Sequence, residues 1–146
     1  MKFTKKFSIE KFDVITHKSI LSFWESRKIK FNNISDKCYI GSRGSLFGNL
    51  FSFKMNKLMT NLYINIDDNN ELICELNIKT FGQKITNWNK KYWELELGTF
   101  ESVLLNNDFK ENEWREYNKN QGKSDLLIAA AIIVISLLLC YFIFIF

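Results

Sequence analysis

The fold is decided by one stretch, residues 60–80, which reads TNLYINIDDNNELICELNIKT. Apolar side chains alternate with polar ones on both sides of an Asp- and Asn-rich turn, at Leu62, Ile64, Ile66, Leu72, Cys74, Leu76 and Ile78. Alternation with a period of two is typical of a strand with one buried face, and Asp and Asn are common turn residues. The stretch therefore predicts an antiparallel hairpin with a single apolar face.

Weaker strand patterns precede this hairpin, and a first helix lies between them. Residues 2–9 alternate weakly and predict an edge strand, and residues 28–43 predict two more strands joined by turn residues. Asp13 or Thr16 can cap a helix that runs to about residue 28, because short polar side chains accept hydrogen bonds from the first backbone N–H groups. His17 is the only histidine, and it is expected at the surface of the first helical turn.

A second helix is predicted after the hairpin, from a cap at Thr86 or Asn87 to about residue 105. Its apolar side chains recur at helical spacing and predict one buried face, formed by Trp93, Leu97, Phe100 and Leu104. The acidic side chains are expected on the opposite side, at Glu94, Glu96 and Glu101. Such an aromatic stripe indicates core packing rather than a cofactor site, and no cofactor is predicted.

Together these elements predict an α+β domain over residues 1–105, with about five antiparallel strands and two helices on one face. A small closed β-barrel with a flanking helix is the alternative. A domain of this length can bury one modest core. The chain supplies 14 Phe, 5 Tyr and 4 Trp for that core, and each such side chain buries a large area.

A separate pattern stands at residues 126–146, which read LLIAAAIIVISLLLCYFIFIF. These 21 residues carry no charge, and about 20 apolar residues suffice for a helix to cross the hydrocarbon of a bilayer. The run predicts a transmembrane helix, and a tail anchor because it closes the sequence. Its anchor positions include both ends and small residues that let helices approach closely: Leu126, Ala129, Ala130, Ser136 and Phe146.

Residues 106–125 are interpreted as a polar juxtamembrane linker. The linker holds four basic side chains, at Lys110, Arg115, Lys119 and Lys123. The first residues of the chain lack the apolar core of a signal peptide. Because basic residues beside a membrane helix favour the cytoplasmic side, the sequence predicts a single-pass membrane protein whose N-terminal domain is cytoplasmic.

Charge is uneven along the chain. Residues 1–60 hold 12 Lys and Arg against 4 Asp and Glu, whereas residues 61–125 hold 8 against 12. A basic half could lie on anionic headgroups, but the favoured interpretation is that solvated charges neutralise each other within one fold. The lysines are dispersed and no aromatic RNA-binding pattern accompanies them, so no nucleic-acid partner is predicted.

A glycine-rich segment, residues 41–53, is the candidate contact site. Backbone N–H groups of such a segment can converge on an anion, and an arginine can add a bidentate contact. The candidate contact residues for an anion or a partner are Gly41, Ser42, Arg43, Gly44 and Ser45. The favoured alternative is a structural bend whose apolar residues, such as Phe51, plug the core. A third interpretation is an apolar loop that dips into the bilayer interface. Arg43 is expected to be exposed in either of the first two cases.

The sequence shows no motif of a catalytic or metal site. The HExxH, CxxC and P-loop patterns are absent, and the three cysteines lack metal-ligand spacing. Cys38 and Cys74 are interpreted as small buried side chains, with a disulfide between them as the alternative, and Cys140 lies in the predicted membrane helix. We therefore predict no catalytic residue, no metal and no enzymatic activity.

The segment at residues 39–48, the hairpin, Gly82-Gln83 and the later helix resemble small uncharacterised bacterial single-span membrane proteins with a cytosolic α+β domain. The resemblance covers roughly residues 1–105 and implies an α+β fold, with no activity and no site residues to carry over. The expected function is a membrane-tethered binding module for a protein or lipid partner. A structural subunit of a larger membrane complex is the alternative, and a phosphate-binding domain or enzyme that uses Arg43 is the third hypothesis.

Overall fold

The computed structural model describes residues 1–45, 55–80 and 85–105, together with the single positions Arg115 and Val134. Five strands and two helices follow one another along the chain: β1 Lys2–Ser8, α1 Val14–Ser26, β2 Lys30–Ser35, β3 Cys38–Arg43, β4 Thr60–Ile66, β5 Glu71–Ile78 and α2 Asn87–Leu104. A short 3-10 helix, Met55–Lys57, precedes β4. The α+β class predicted from the sequence is confirmed.

The strands form one antiparallel sheet in the order β1-β5-β4-β3-β2. Strands β2 to β5 follow each other as a meander, and β1 adds to the free side of β5. Within the described residues β1 and β2 are the two edges of the sheet and do not pair with each other. The sheet is therefore open, and the closed-barrel alternative is wrong.

Both helices cover the same face of this sheet. The strand register places Phe7 of β1 and Tyr39 of β3 on that face. Phe100 of α2 contacts Phe7, with ring centroids 5.9 Å apart, and His17 of α1 contacts Tyr39 at 5.5 Å. The largest fully buried side chains come from both helices and from the sheet, and they are Trp24, Trp93, Tyr39, Tyr92 and Phe100. Large aromatic side chains therefore fill the layer between sheet and helices.

Caps and turns form where the sequence predicts them. The Asp13 carboxylate accepts hydrogen bonds from the N–H groups of Ile15 and Thr16, and the Thr86 hydroxyl accepts one from Asn89. These contacts satisfy backbone donors that the first helical turn leaves free. One detail differs, because Asn32 is the extra residue of a β-bulge inside β2, so residues 32–33 do not form a turn.

The C-terminal predictions fall outside the described residues. The linker at residues 106–125 is described only at Arg115, and the apolar run at residues 126–146 only at Val134. Of the helices in the described ranges, none combines the length and the apolar character that crossing a bilayer requires. The membrane helix and the domain boundaries at residues 105 and 125 stay predictions.

We expect residues 1–123 to form a soluble, folded domain. The reason is that the described residues from Phe7 to Phe100 already form a continuous hydrophobic core. Urea unfolding of this fragment, followed by tryptophan fluorescence, should show one cooperative transition. Recovery of the fragment only as an aggregate would contradict this expectation.

Candidate functional site

The candidate contact residues lie at the end of β3 and just beyond it. Gly41 and Arg43 face the helices and are buried, whereas Ser42 lies on the opposite face of the sheet. Gly44 and Ser45 follow the strand and are exposed. Residues 46–54, which hold the predicted plug residue Phe51, lie outside the described residues. The structure therefore brings the five predicted residues onto two faces of the sheet rather than around one point.

Arg43 forms a buried ion pair with Glu96 of α2. Its two terminal nitrogens each lie 2.6 Å from one carboxylate oxygen, and Arg43 is only 4% exposed. The expectation that Arg43 is exposed is wrong, because strand alternation from Tyr39 through Gly41 turns Arg43 inward. The expectation that Glu96 lies on the solvent side is wrong as well. Glu96 follows Trp93 by three residues and precedes Phe100 by four, so all three share the buried face of α2.

Two further groups complete this ion pair. The Tyr92 hydroxyl lies 3.4 Å from Glu96 Oε1 and donates to it, and Arg43 donates to the backbone carbonyl of Arg27 at 3.2 Å. Burial lowers the pKa of Arg43, but the adjacent Glu96 carboxylate outweighs this effect and raises that pKa above its usual value. Burial also raises the pKa of Tyr92, and Glu96 raises it further. The guanidinium stays charged, and both of its terminal nitrogens donate hydrogen bonds to Glu96, whereas its buried Nε has no hydrogen-bond partner among the described residues. The guanidinium could therefore reach an external anion only by leaving Glu96.

The two described glycines of the segment are required by close contacts. A Cβ on Gly41 would lie 2.6 Å from the side chain of Ile29. Gly44 has a φ of +78°, and a Cβ there would lie 2.4 Å from the carbonyl oxygen of Leu58. Both glycines therefore have a packing reason that does not involve an anion. Contact with an anion or partner at residues 41–45 stays a prediction.

The cysteines of the described residues are free thiols. Cys74 is fully buried, and burial raises the pKa of its thiol. Cys38 is half-buried and lies on the opposite face of the sheet, because it pairs with Asn65 whereas Cys74 pairs with Ile64. The disulfide alternative is therefore wrong. The described ranges contain no group of three metal-ligating side chains.

An exposed apolar surface lies around the start of α1, and the sequence reasoning missed it. Val14 is 68% exposed, Ile15 74%, Ile34 46% and Leu105 46%. We call these four residues the apolar crest. Val14 and Ile34 line a groove of about 470 Å³, whereas Ile15 and Leu105 line a second groove of about 210 Å³. The signal in the sequence was the adjacent pair Val14-Ile15 directly after the cap, ahead of the buried positions of α1.

His17 lines the groove beside Val14 and reaches a buried tyrosine beneath it. His17 Nδ1 and the Tyr39 hydroxyl lie 2.6 Å apart and share a hydrogen bond. Burial raises the pKa of Tyr39 to about 12, so this hydroxyl is protonated at neutral pH. The only histidine of the chain is thus half-buried and engaged with the core, rather than free at the surface. The crest itself offers exposed aliphatic contact area.

Comparison with protein-family models, with curated proteins and with solved structures gives no match for this chain. The resemblance to small bacterial single-span membrane proteins therefore stays a prediction.

Glu96→Leu is expected to lower the free energy of unfolding by about 3–5 kcal/mol, because it leaves the Arg43 guanidinium buried without a counter-charge. The double variant Arg43→Met with Glu96→Leu should recover most of this loss, since two apolar side chains then replace two charges. Urea unfolding of residues 1–123 measures both values. Glu94→Leu is the matched control on the exposed side of α2, and it should change stability by no more than about 0.5 kcal/mol. A Glu96→Leu domain as stable as the control would show that the ion pair contributes nothing.

Proposed function

We propose that this chain is a single-pass membrane protein whose N-terminal α+β domain is a binding module for a protein or lipid partner. The observation that carries the proposal is the uncharged run at residues 126–146. Fifteen of its 21 residues are Leu, Ile, Val or Phe. At roughly −0.3 to −0.6 kcal/mol each, they contribute on the order of −5 to −9 kcal/mol towards insertion. A water-soluble domain of this size has no room to cover a helix that is apolar on every side.

The apolar crest supports the binding part of the proposal. Single exposed apolar side chains are ordinary on protein surfaces, but neighbouring ones that line continuous grooves are typical of contact surfaces. Val14 and Ile15 are two of the most exposed large apolar side chains in the described residues. Their position at the start of α1 leaves them outside the core, and they contribute little to the stability of the fold.

A structural subunit of a larger membrane complex is the second candidate. Ala129, Ala130 and Ala131 would give the membrane helix a small surface on which a neighbouring helix could pack closely. The two candidates differ in stoichiometry, because a subunit would be recovered in a fixed ratio with its neighbours. Purification of the full chain in a mild detergent with quantified partners separates them.

The proposed side of the domain is cytoplasmic. Four basic residues precede the apolar run, at Lys110, Arg115, Lys119 and Lys123. Basic residues within about 15–20 positions of a membrane helix favour the cytoplasmic side of the membrane. The domain at residues 1–105 would then meet cytoplasmic partners and the inner surface of the membrane.

The full chain is expected to stay in the membrane pellet after extraction at alkaline pH, whereas residues 1–123 should be released. Replacing Val134 and Leu138 by arginine adds about 2.5–3.5 kcal/mol for each charge at the helix centre, which offsets most of the apolar contribution. This double variant should therefore be extracted. Val134→Leu with Leu138→Ile is the matched control and should stay in the pellet. Release of the unchanged full chain would remove the basis of the proposal.

Protease added outside intact cells should leave the N-terminal domain uncut. The reason is the basic cluster before the membrane helix. Protease added after the cells are opened should digest the domain, which shows that the cleavage sites are accessible. Digestion of the domain in intact cells would place it on the outside and reverse the proposed topology.

A further inference from the structure

We propose that the apolar crest lies on the surface of the same bilayer that residues 126–146 enter, with Val14, Ile15 and Leu105 in the interfacial region. This inference rests on the proposed membrane attachment and names the partner of the binding module as the lipid surface itself. In this arrangement the domain does not rotate freely at the end of its linker. It lies against the membrane with the start of α1 and the end of α2 towards the lipids.

The first observation is where the chain leaves the domain. Helix α2 ends at Leu104, and Leu105 borders the same groove as Ile15. The exit of the chain and the exposed start of α1 are therefore neighbours. The chain therefore leaves the described part of the domain at the crest, because Leu105 is the last residue of that part.

The second observation is the position of Arg115, ten residues further along the chain. Arg115 lines a groove on α1 together with Ile15 and Phe23. Arg115 is the last described position before the apolar run, eleven residues ahead of Leu126. At residue 115 the chain is therefore still on the α1 side of the domain, the side that carries the crest.

The third observation is the chemistry of the crest and its rim. The crest residues carry only aliphatic side chains, which enter the boundary between headgroups and acyl chains favourably. Lys11 and Lys18 are exposed beside it, and their long side chains can keep the charge among headgroups while the stem lies on apolar surface. Arg115 and the acidic residues Glu10, Asp13 and Asp36 border the crest as well, so the rim holds three groups of each charge and is close to neutral. Apolar insertion, rather than attraction to anionic lipid, is therefore expected to hold the domain.

The opposite face of the sheet has a different character. Lys2 pairs with Glu75 and Lys6 with Glu71, at 2.7 and 2.8 Å, so charged groups cover one side of that face. Ile40 is exposed there, at 37%, next to Tyr63. In the proposed orientation this face points away from the lipid. Ile40 is therefore the control position.

The test uses the full chain in phosphatidylcholine vesicles, with the photo-crosslinking amino acid p-benzoylphenylalanine placed at one position at a time. The positions are Ile15 in the crest, Ile40 on the sheet face and Val134 in the apolar run. Illumination followed by mass spectrometry identifies what each position contacts. Because Ile15 is 74% exposed, the probe does not disturb the core, and an unchanged melting temperature verifies this.

Lipid adducts at positions 15 and 134, with severalfold fewer at position 40, would support the inference. Adducts at position 134 alone would overturn it while the proposed anchor stands. The absence of adducts at position 134 would overturn both. Adducts from position 15 to a second copy of the chain would overturn it in favour of a protein contact, and equal adducts at positions 15 and 40 would show an unoriented domain.

A second pair of variants tests the apolar contribution directly. With the probe moved to Val14, Ile15→Asp should reduce the yield of lipid adducts severalfold, because a carboxylate then has to enter the interface. Ile40→Asp, with the same probe at Val14, should leave the yield unchanged. Equal yields in the two variants would contradict a contact made through the crest.

Discussion

The ion pair between Arg43 and Glu96 joins the sheet to α2, and the rest of the domain depends on its placement. Removing both charges from water costs several kcal/mol for each ion, and only a well-formed bidentate contact offsets that cost. A slip of β3 by one residue would turn Arg43 to the outer face and leave Glu96 buried alone. A rotation of α2 would separate the same two groups. A wrong register would leave a buried charge without a partner. The free energy which that costs is larger than the net free energy that the ion pair contributes to the native structure.

Much of the fold could be predicted from local patterns, because the apolar spacing of a strand or a helix can be recognised within a few residues. The hairpin of β4 and β5 follows from alternation, and the start of α1 follows from the Asp13 cap. The ion pair could not be predicted in the same way, since its partners lie 53 residues apart. The burial of each partner, though not their pairing, was nevertheless indicated by the local sequence. Alternation from Tyr39 turned Arg43 inward, and the stripe of Trp93 and Phe100 contained Glu96.

The two sides of the domain differ in their balance of ion pairs and exposed aliphatic side chains. On the outer face of the sheet, opposite charges on neighbouring strands compensate each other, as in the contact of Lys6 with Glu71. Around the start of α1, aliphatic side chains stand in solvent without a contribution to the core. Evenly distributed polarity would suit a domain that tumbles freely. The observed asymmetry suits a domain with one preferred orientation towards a neighbouring surface, as proposed for the membrane.

The bulge in β2 affects whether the sheets of neighbouring copies of the domain can pair through their edges. Molecules confined to a membrane plane meet one another far more often than the same number of molecules in solution, and their domains would meet in repeated relative orientations. An unprotected sheet edge would then recruit the edge of the next molecule. In β2 the extra residue between Phe31 and Asn33 interrupts the ladder, and in β1 lysines stand along the other edge. Both edges of the described sheet are thus poor templates, so copies that the proposed anchor would concentrate in one plane would not polymerise through their sheets.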